Sequence, residues 1–451
     1  MRAPTSIFLL FLLFAASVYA GDYDPFALDD PDARPGMRLE CVLRLADFGY
    51  IEENAHSEVD DLKDARITMD MTVPWREHML FLSGEANVRH AVSDTENEIV
   101  LKEAYFEWRS EIVVPPFFVS DTVVRFGQQI FSWGSGVMYN PTDNLSPVNA
   151  IDPFDAHSRG IPAVKLSFMS NVKIFDMIYI PGFVPSEISD IGHRFFIHSP
   201  GVVPNPNYPA SGPPLLTMNY TDVLDDFVPE GDVTGDQYAV RYSTSFGNWD
   251  LGLSYFQGYE NIALFEPSVT GVDATGVADT VVYHIHPKER VWGLDLSGFV
   301  GKLGVHVEGA YFDMRDTRHS VGIGDKDYYS VIGGFEYPIN DIIGTQDLNI
   351  SLEYAAEIKD EEDELIYINR IYPESVLVRF AHTMDYKLAF ELRHVQNLDT
   401  ESSYTRFQTD YRLSDYTKIT FGFDVFEGPD NCFFGAYDDN DRVFIMMEYS
   451  R

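Results

Sequence analysis

The stretch Leu348-Asn349-Ile350-Ser351-Leu352-Glu353-Tyr354 sets an apolar side chain at every second position and a polar one between. A β-strand turns successive side chains to opposite faces, so this run has one oily face and one wet face. The same alternation recurs in Leu388, Phe390 and Leu392 against Ala389, Glu391 and Arg393, and in Ile419, Phe421, Phe423 and Val425 against Thr420, Gly422 and Asp424. Helical spacing is hard to find beyond the first twenty residues.

Carried along the chain, the pattern predicts strands near 37–48, 64–74, 78–88, 98–109, 122–131, 161–169, 172–181, 236–246, 249–258, 290–299, 303–313, 326–337, 347–358, 375–384, 387–397, 403–413, 416–426 and 440–450. About eighteen segments result, within a range of roughly 14 to 18, each about ten residues long, the length a tilted strand needs to cross a bilayer. Short connections at Pro74 to Glu77, Ser170-Asn171, Gly247-Asn248, Val300 to Lys302, Met384 to Tyr386 and Ser414-Asp415 take turns with long polar ones such as Pro181 to Asp236, Gly258 to Glu289 and Lys359 to Glu374. Transmembrane barrels sort their loops in this way, with short turns on the periplasmic side and long loops outside. A soluble β-sandwich also alternates, but its strands are usually shorter and its loop lengths have no reason to follow parity. The predicted fold class is all-β, a closed antiparallel transmembrane β-barrel over residues 37–451.

Composition narrows the function classes. The 451 residues carry 32 Lys+Arg against 71 Asp+Glu, a formal charge of −39, which argues against nucleic acid or an anionic lipid surface as the main partner. With 33 Phe, 26 Tyr and 5 Trp the chain is too apolar for an acidic disordered protein. Arg2, the apolar run Ile7 to Val18, and Val18-Tyr19-Ala20 read as a signal peptide over 1–20 cleaved after Ala20, followed by a periplasmic segment at 21–36. Only Cys41 and Cys432 follow, too few for a disulfide framework or a cysteine zinc site, and whether they pair is left open.

The motifs Leu101-Lys102-Glu103-Ala104-Tyr105-Phe106-Glu107-Trp108-Arg109, Arg125-Phe126-Gly127-Gln128-Gln129 with Trp133-Gly134, and Asn140-Pro141-Thr142-Asp143 resemble those of Gram-negative outer-membrane porin-like barrels, in particular proteins related to the alginate-export type. The resemblance implies an outer-membrane location, contact with lipid and lipopolysaccharide, and insertion by the barrel-assembly machinery. The last strand, in which Val443, Ile445, Met447 and Tyr449 alternate, is similar to the terminal strand which that machinery recognises, although it ends on Arg451 where the family pattern ends on Phe.

If the apolar parity faces lipid, the opposite parity lists the lumen. That list holds Glu103, Glu107 and Arg109, then Arg125 and Gln129, then Arg241, Asp295, Glu308, Glu336 and Glu353, then Arg379, Glu391, Arg393, Arg406, Asp410, Arg412 and Asp424. Both signs of charge occur, and two readings stand open: a transverse field that selects small polar solutes, or neighbouring charges that simply neutralise each other. One β-bulge would invert a strand's list.

Residues 132–161 are the candidate pore-shaping element, because a polar, turn-rich loop of that length in a compact fold is usually functional. Folded inward, it would bring Asp143, Asp152, Asp155 and Arg159 to a constriction; the alternative is an ordinary external loop on the rim. The acidic run Asp360 to Glu364 reads foremost as a solvated face, and His284 with His286 lacks a third metal ligand nearby. No nucleophile elbow, zinc-protease helix or phosphate loop occurs, so no enzyme and no cofactor is expected. The leading expectation is a passive channel for small polar solutes. The alternatives are a plugged barrel working as a receptor or adhesin through loop 181–236, and a polysaccharide exporter; assembly into a homo-oligomer is left open.

Overall fold

The computed structural model describes residues 37–51, 61–75, 78–91, 95–113, 119–189, 193–196, 202–204, 215–225, 235–273, 275–315, 327–340, 342, 347–359 and 371–451. The signal-peptide expectation, the segment 21–36 and the acidic run at 360–364 lie outside these residues. Eighteen of the strands form one sheet. In chain order they are β1 (Arg38–Tyr50), β2 (Asp61–Trp75), β3 (His78–Ala91), β4 (Thr95–Val113), β5 (Val119–Gln129), β6 (Ile161–Ser170), β7 (Lys173–Ile180), β8 (Gln237–Phe246), β9 (Trp249–Tyr259), β10 (Lys288–Val300), β11 (Leu303–Arg315), β12 (Tyr328–Ile339), β13 (Asp347–Lys359), β14 (Glu374–Thr383), β15 (Leu388–Asn397), β16 (Ser403–Ser414), β17 (Thr417–Glu427) and β18 (Arg442–Ser450).

Each strand pairs antiparallel with the next. β18 then returns to β1, from Val42↔Ser450 to Tyr50↔Arg442, so the sheet closes and no barrel strand is left with a free edge.

Period two decides which side chains face in. Outward stand Leu253, Trp292, Leu294, Val307, Phe335, Leu352, Phe421 and Ile445, all exposed, while Glu308, Ser351, Glu353, Asp424 and Arg442 are almost wholly buried. This is the inverse of a water-soluble core, and an apolar belt around a closed barrel is stable against hydrocarbon. Aromatic rows edge the belt as girdles do at a membrane interface. Toward the long-loop end, ring centroids step from Tyr255 to Trp292 at 5.4 Å, Trp292 to Tyr311 at 5.7 Å and Tyr311 to Tyr329 at 4.7 Å. At the short-turn end Trp75 meets His78 edge-on at 5.9 Å and His78 stacks on Trp108 at 6.3 Å.

Two features depart from the sequence expectation. The register jumps between Ser83↔Glu103 and Gly84↔Leu101, leaving Lys102 as a bulged residue. Leu101 therefore faces outward although Glu103, two residues on, faces inward, and Lys102 reaches Glu85 at 3.5 Å. The long connections at 181–236 and 258–289, expected as loops, contain strands 202–204, 215–225, 264–272 and 277–285 in a separate four-stranded sheet, with 215–225 parallel to 277–285. Cys41, near the short-turn end of β1, and Cys432, buried in the connection after β17, are both free.

Candidate functional site: a charged lumen crossed by an inward segment

The site is built on strand walls whose inward positions are polar because their outward neighbours must be apolar. Near the short-turn end the charges pair locally. Glu107 accepts from Arg109 Nε at 2.6 Å and from Arg125 Nε at 2.5 Å, while the Arg125 guanidinium also lies 5.0 Å from the Tyr105 ring centre. Arg379 donates to Glu391 at 2.8 Å, and Arg393 shares that carboxylate. Asp410 accepts from Thr420 at 2.7 Å, and Arg412 is exposed beside the last short turn. Arg241 binds Asp295 at 2.9 Å and lies over the Trp133 ring at 5.5 Å. Gln129 is buried and donates to the Ala163 carbonyl at 3.0 Å.

Residues 130–160 leave β5 and run across this lumen before returning to β6. The crossing begins at Ile130, whose N–H donates to Glu103 at 2.9 Å. On the far wall Glu308 of β11 accepts from Ser135 N at 2.8 Å and from both Thr142 N and Thr142 Oγ1 at 2.8 Å. Glu353 of β13 accepts from Val137 N at 2.7 Å, Met138 N at 3.0 Å and His306 Nε2 at 2.7 Å. Two buried carboxylates thus satisfy backbone donors that the segment would otherwise leave unpaired. Asn140 Oδ1 and Asp143 fold the segment on itself, Asp143 accepting from Trp133 N at 3.0 Å and Ser132 Oγ at 3.2 Å.

The second half of the segment reaches the seam where β18 meets β1. Arg442 of β18 is fully buried and donates to Asp152 at 2.5 Å and to Asp424 of β17 at 2.7 Å; Arg406 of β16 holds the same Asp424 at 2.6 and 2.7 Å. The Arg442 guanidinium lies 4.7 Å from the Phe48 ring centre and 5.3 Å from that of Phe195. Arg44 of β1 donates to Asp155 at 2.9 Å, and Arg66 of β2 lies 3.7 Å from it. Burial works against ionisation of Asp155, but Arg44 and Arg66 outweigh it and hold the carboxyl below its usual range. Arg159 pairs with Glu187 and lies 3.9 Å from Glu98. Asp152 and Asp155 therefore meet the same seam of β18, β1 and β2, whereas Asp143 bonds within the segment and Arg159 pairs with Glu187.

Toward the long-loop end the lumen turns apolar. Phe154 packs among the rings of Phe195, Tyr404, Phe426, Phe433, Phe434 and Tyr437, with the wall residues Ile332, Ala355, Leu377 and Val395 in the same cluster. Residues 193–196 and the short 3₁₀ turn Gly435–Asn440 enter this cluster from their own connections. To one side a cavity of about 270 Å³ remains, lined in part by Tyr139, Asp143, Glu260, Tyr328, Glu357 and Tyr372.

The parity list leaves out further inward charges, among them Arg44, Asp64, Arg66, Glu85, Arg89, Lys165, Asp176, His306 and Arg442. The signal was present: Arg44 shares its parity with the buried Ala46 and Phe48, and Arg442 alternates with the outward Val443.

The strand register itself establishes a closed barrel of eighteen antiparallel strands. No family model and no curated protein matches the chain. Among solved structures it is similar to Pseudomonas aeruginosa OccK5 (OpdH), with a TM-score of 0.49 and 10% identity over 92% of this chain and 98% of that one. It is also similar to Acinetobacter baumannii OccAB3, with a TM-score of 0.48 and 11% identity over 92% and 99% of the two chains. The outer membrane channel DcaP of Acinetobacter baumannii gives a TM-score of 0.41 and 10% identity over 93% of this chain and 99% of that one.

Proposed function

We propose that this chain is an outer-membrane channel through which small polar solutes diffuse passively, with its bore set by residues 130–160. One observation carries the reading. A segment with no long secondary structure of its own lies inside a closed barrel, bound on one wall by Glu308 and Glu353 and on another by Arg442 and Arg44. A barrel that served only as an anchor would have no use for such a crossing, whereas a channel uses it to set size and charge selectivity. Charges of both signs on the wall, such as Arg379, Arg393 and Arg406 against Glu391 and Asp424, suit small solutes and do not favour the uniformly basic lining a polyanion exporter needs. Outer-membrane lipid, lipopolysaccharide and the assembly machinery are the partners this reading entails.

The test is single-channel recording of refolded protein in a planar bilayer, with ion selectivity taken from the reversal potential in a salt gradient. Stable ohmic steps are expected. A second reading, a closed barrel acting as a surface receptor, draws on the aromatic cluster around Phe154; silence from protein that is folded and inserted would favour it and overturn the channel.

A further inference from the structure

The inward segment closes most of the lumen with apolar contacts. Along β6 to β11 the wall is apolar at the height of the segment and packs on Phe131, Trp133 and Leu145. Along β12 to β17 it packs on Phe154 and the rings around it. Where these two sets of contacts meet, Glu308 and Glu353, 0% and 1% exposed, hold the backbone of residues 135–142, so that junction is dry. Arg379 and Arg393 lie on the short-turn side of the Phe154 cluster, so water that wets them meets rings farther along. Apolar contacts at packing distance admit neither ions nor hydrated solutes.

The wall of β1 to β4 is different. Opposite it stand Asp155, His157 and Arg159 of the segment, which meet Arg44, Glu85 and Glu98 at 2.9, 3.3 and 3.9 Å. Although these groups touch, solvent reaches them: the side chains of Arg44, Lys102, Asp155, His157 and Arg159 are 18–24% exposed. The wetted strip continues toward the long loops through Glu187 and Glu98, 33% and 39% exposed. Toward the short turns it continues through Arg125 and Arg109, 35% and 56% exposed. Polar groups thus line one side of the lumen from end to end, and among the described residues no apolar cluster bridges this wall to residues 155–160.

A bulge places one residue of this strip. Lys102 is the extra residue of β4, and a bulge re-aims a side chain that regular alternation would turn elsewhere. The returning segment packs on the bulge itself: Gly160 is buried against the Lys102 carbonyl with no room for a Cβ, and Gln128 donates to the carbonyls of Leu101 and Gly160. The Lys102 ammonium is held 3.5 Å from Glu85 Oε2, beside the carboxylate that His157 also meets. A point charge on a flexible stem at a narrow passage biases which sign of charge passes. We propose that solutes cross between the β1–β4 wall and residues 155–160, and that Lys102 sets the charge selectivity of that path. This rests on the channel reading and gives that channel its route.

The experiment is planar-bilayer recording of Lys102→Cys in the full chain carrying Cys41→Ser and Cys432→Ser, before and after a cationic and an anionic methanethiosulfonate. Removing the ammonium is expected to raise the cation-over-anion permeability ratio by about twofold; the cationic reagent restores the starting ratio and the anionic one raises it further. Leu377→Cys, in the sealed Phe154 cluster, is expected to respond to neither reagent. Should Lys102→Cys fail to fold, Arg159→Cys, across the strip, is expected to respond in the same way. A conducting protein whose thiol at position 102 stays unmodified, or whose selectivity ignores the charge of the reagent, overturns the route and leaves the channel standing. So does a current that changes on modification of Leu377→Cys. Folded, inserted protein that carries no current overturns both.

Discussion

Arg442 bridges the inward segment and the barrel wall with one guanidinium, and its burial makes that bridge costly to break. Replacing it with Gln leaves Asp152 and Asp424 buried with one charge fewer between them; Arg406 still serves Asp424, but Asp152 loses its cation. Breaking a buried pair from one side costs about 3–5 kcal/mol. Arg442→Gln is therefore expected to lower stability by that amount in urea unfolding from phospholipid vesicles; a loss under about 1 kcal/mol would mean that the bridge is not needed. Asp143 offers a pH handle at the same scale. Burial lifts its carboxyl from the ordinary 3.8 to about 6. Between those values the native state binds more protons than the unfolded chain, so this group's contribution to stability falls as pH rises from about 4 to about 6. Above about 6 it adds a negative charge beside the cavity. Cation selectivity from reversal potentials is expected to rise through pH 6 in the native chain and to stay flat there in Asp143→Asn.

The segment 130–160 depends on a backbone position that only glycine fills well. Gly134 has φ +108°, and a Cβ there would lie 2.7 Å from Glu308 Oε2 and 2.5 Å from Asn140 Oδ1. Gly134→Ala is expected to cost about 1–3 kcal/mol of strain and to loosen the segment from Glu308, read as larger and noisier single-channel steps. Unchanged steps and stability would show that the close approach does not hold the segment. Here the sequence has its limit. The alternation at 348–354 is local, so all eighteen barrel strands could be placed from it. The destination of 130–160 is not local: Thr142 finds Glu308 across 166 positions and Arg442 finds Asp152 across 290. Nothing in Pro141 or Asp143 says which wall will receive the segment. The bulge at Lys102 leaves only a trace, two adjacent polar residues Lys102-Glu103 where alternation has one, and the partner strand's register decides which of them is the extra residue. Strands 215–225 and 277–285 were missed because their parallel pairing spans two connections, and Pro267 and Gly271 interrupt the alternation beside them.

Over the whole molecule, the outer surface is the simplest consequence of the sequence and the lumen is the least simple. Leu294 stands outward in the middle of β10, and Arg there is expected to cost about 2–4 kcal/mol in vesicle-based unfolding, the penalty for a cation near the bilayer midplane. A cost near zero would place that belt in water. The lumen, by contrast, carries paired charge toward one end and an aromatic cluster toward the other, with residues 130–160 belonging to both. That double role makes the segment the controlling part of the proposed channel. The most direct measurement is single-channel conductance of the full chain beside a variant lacking Asn144 to Asp155, both shown to be folded and inserted. Small, charge-selective steps in the full chain and severalfold larger, less selective steps in the variant are expected. Equal conductance and equal selectivity in the two would contradict a constriction formed by this segment.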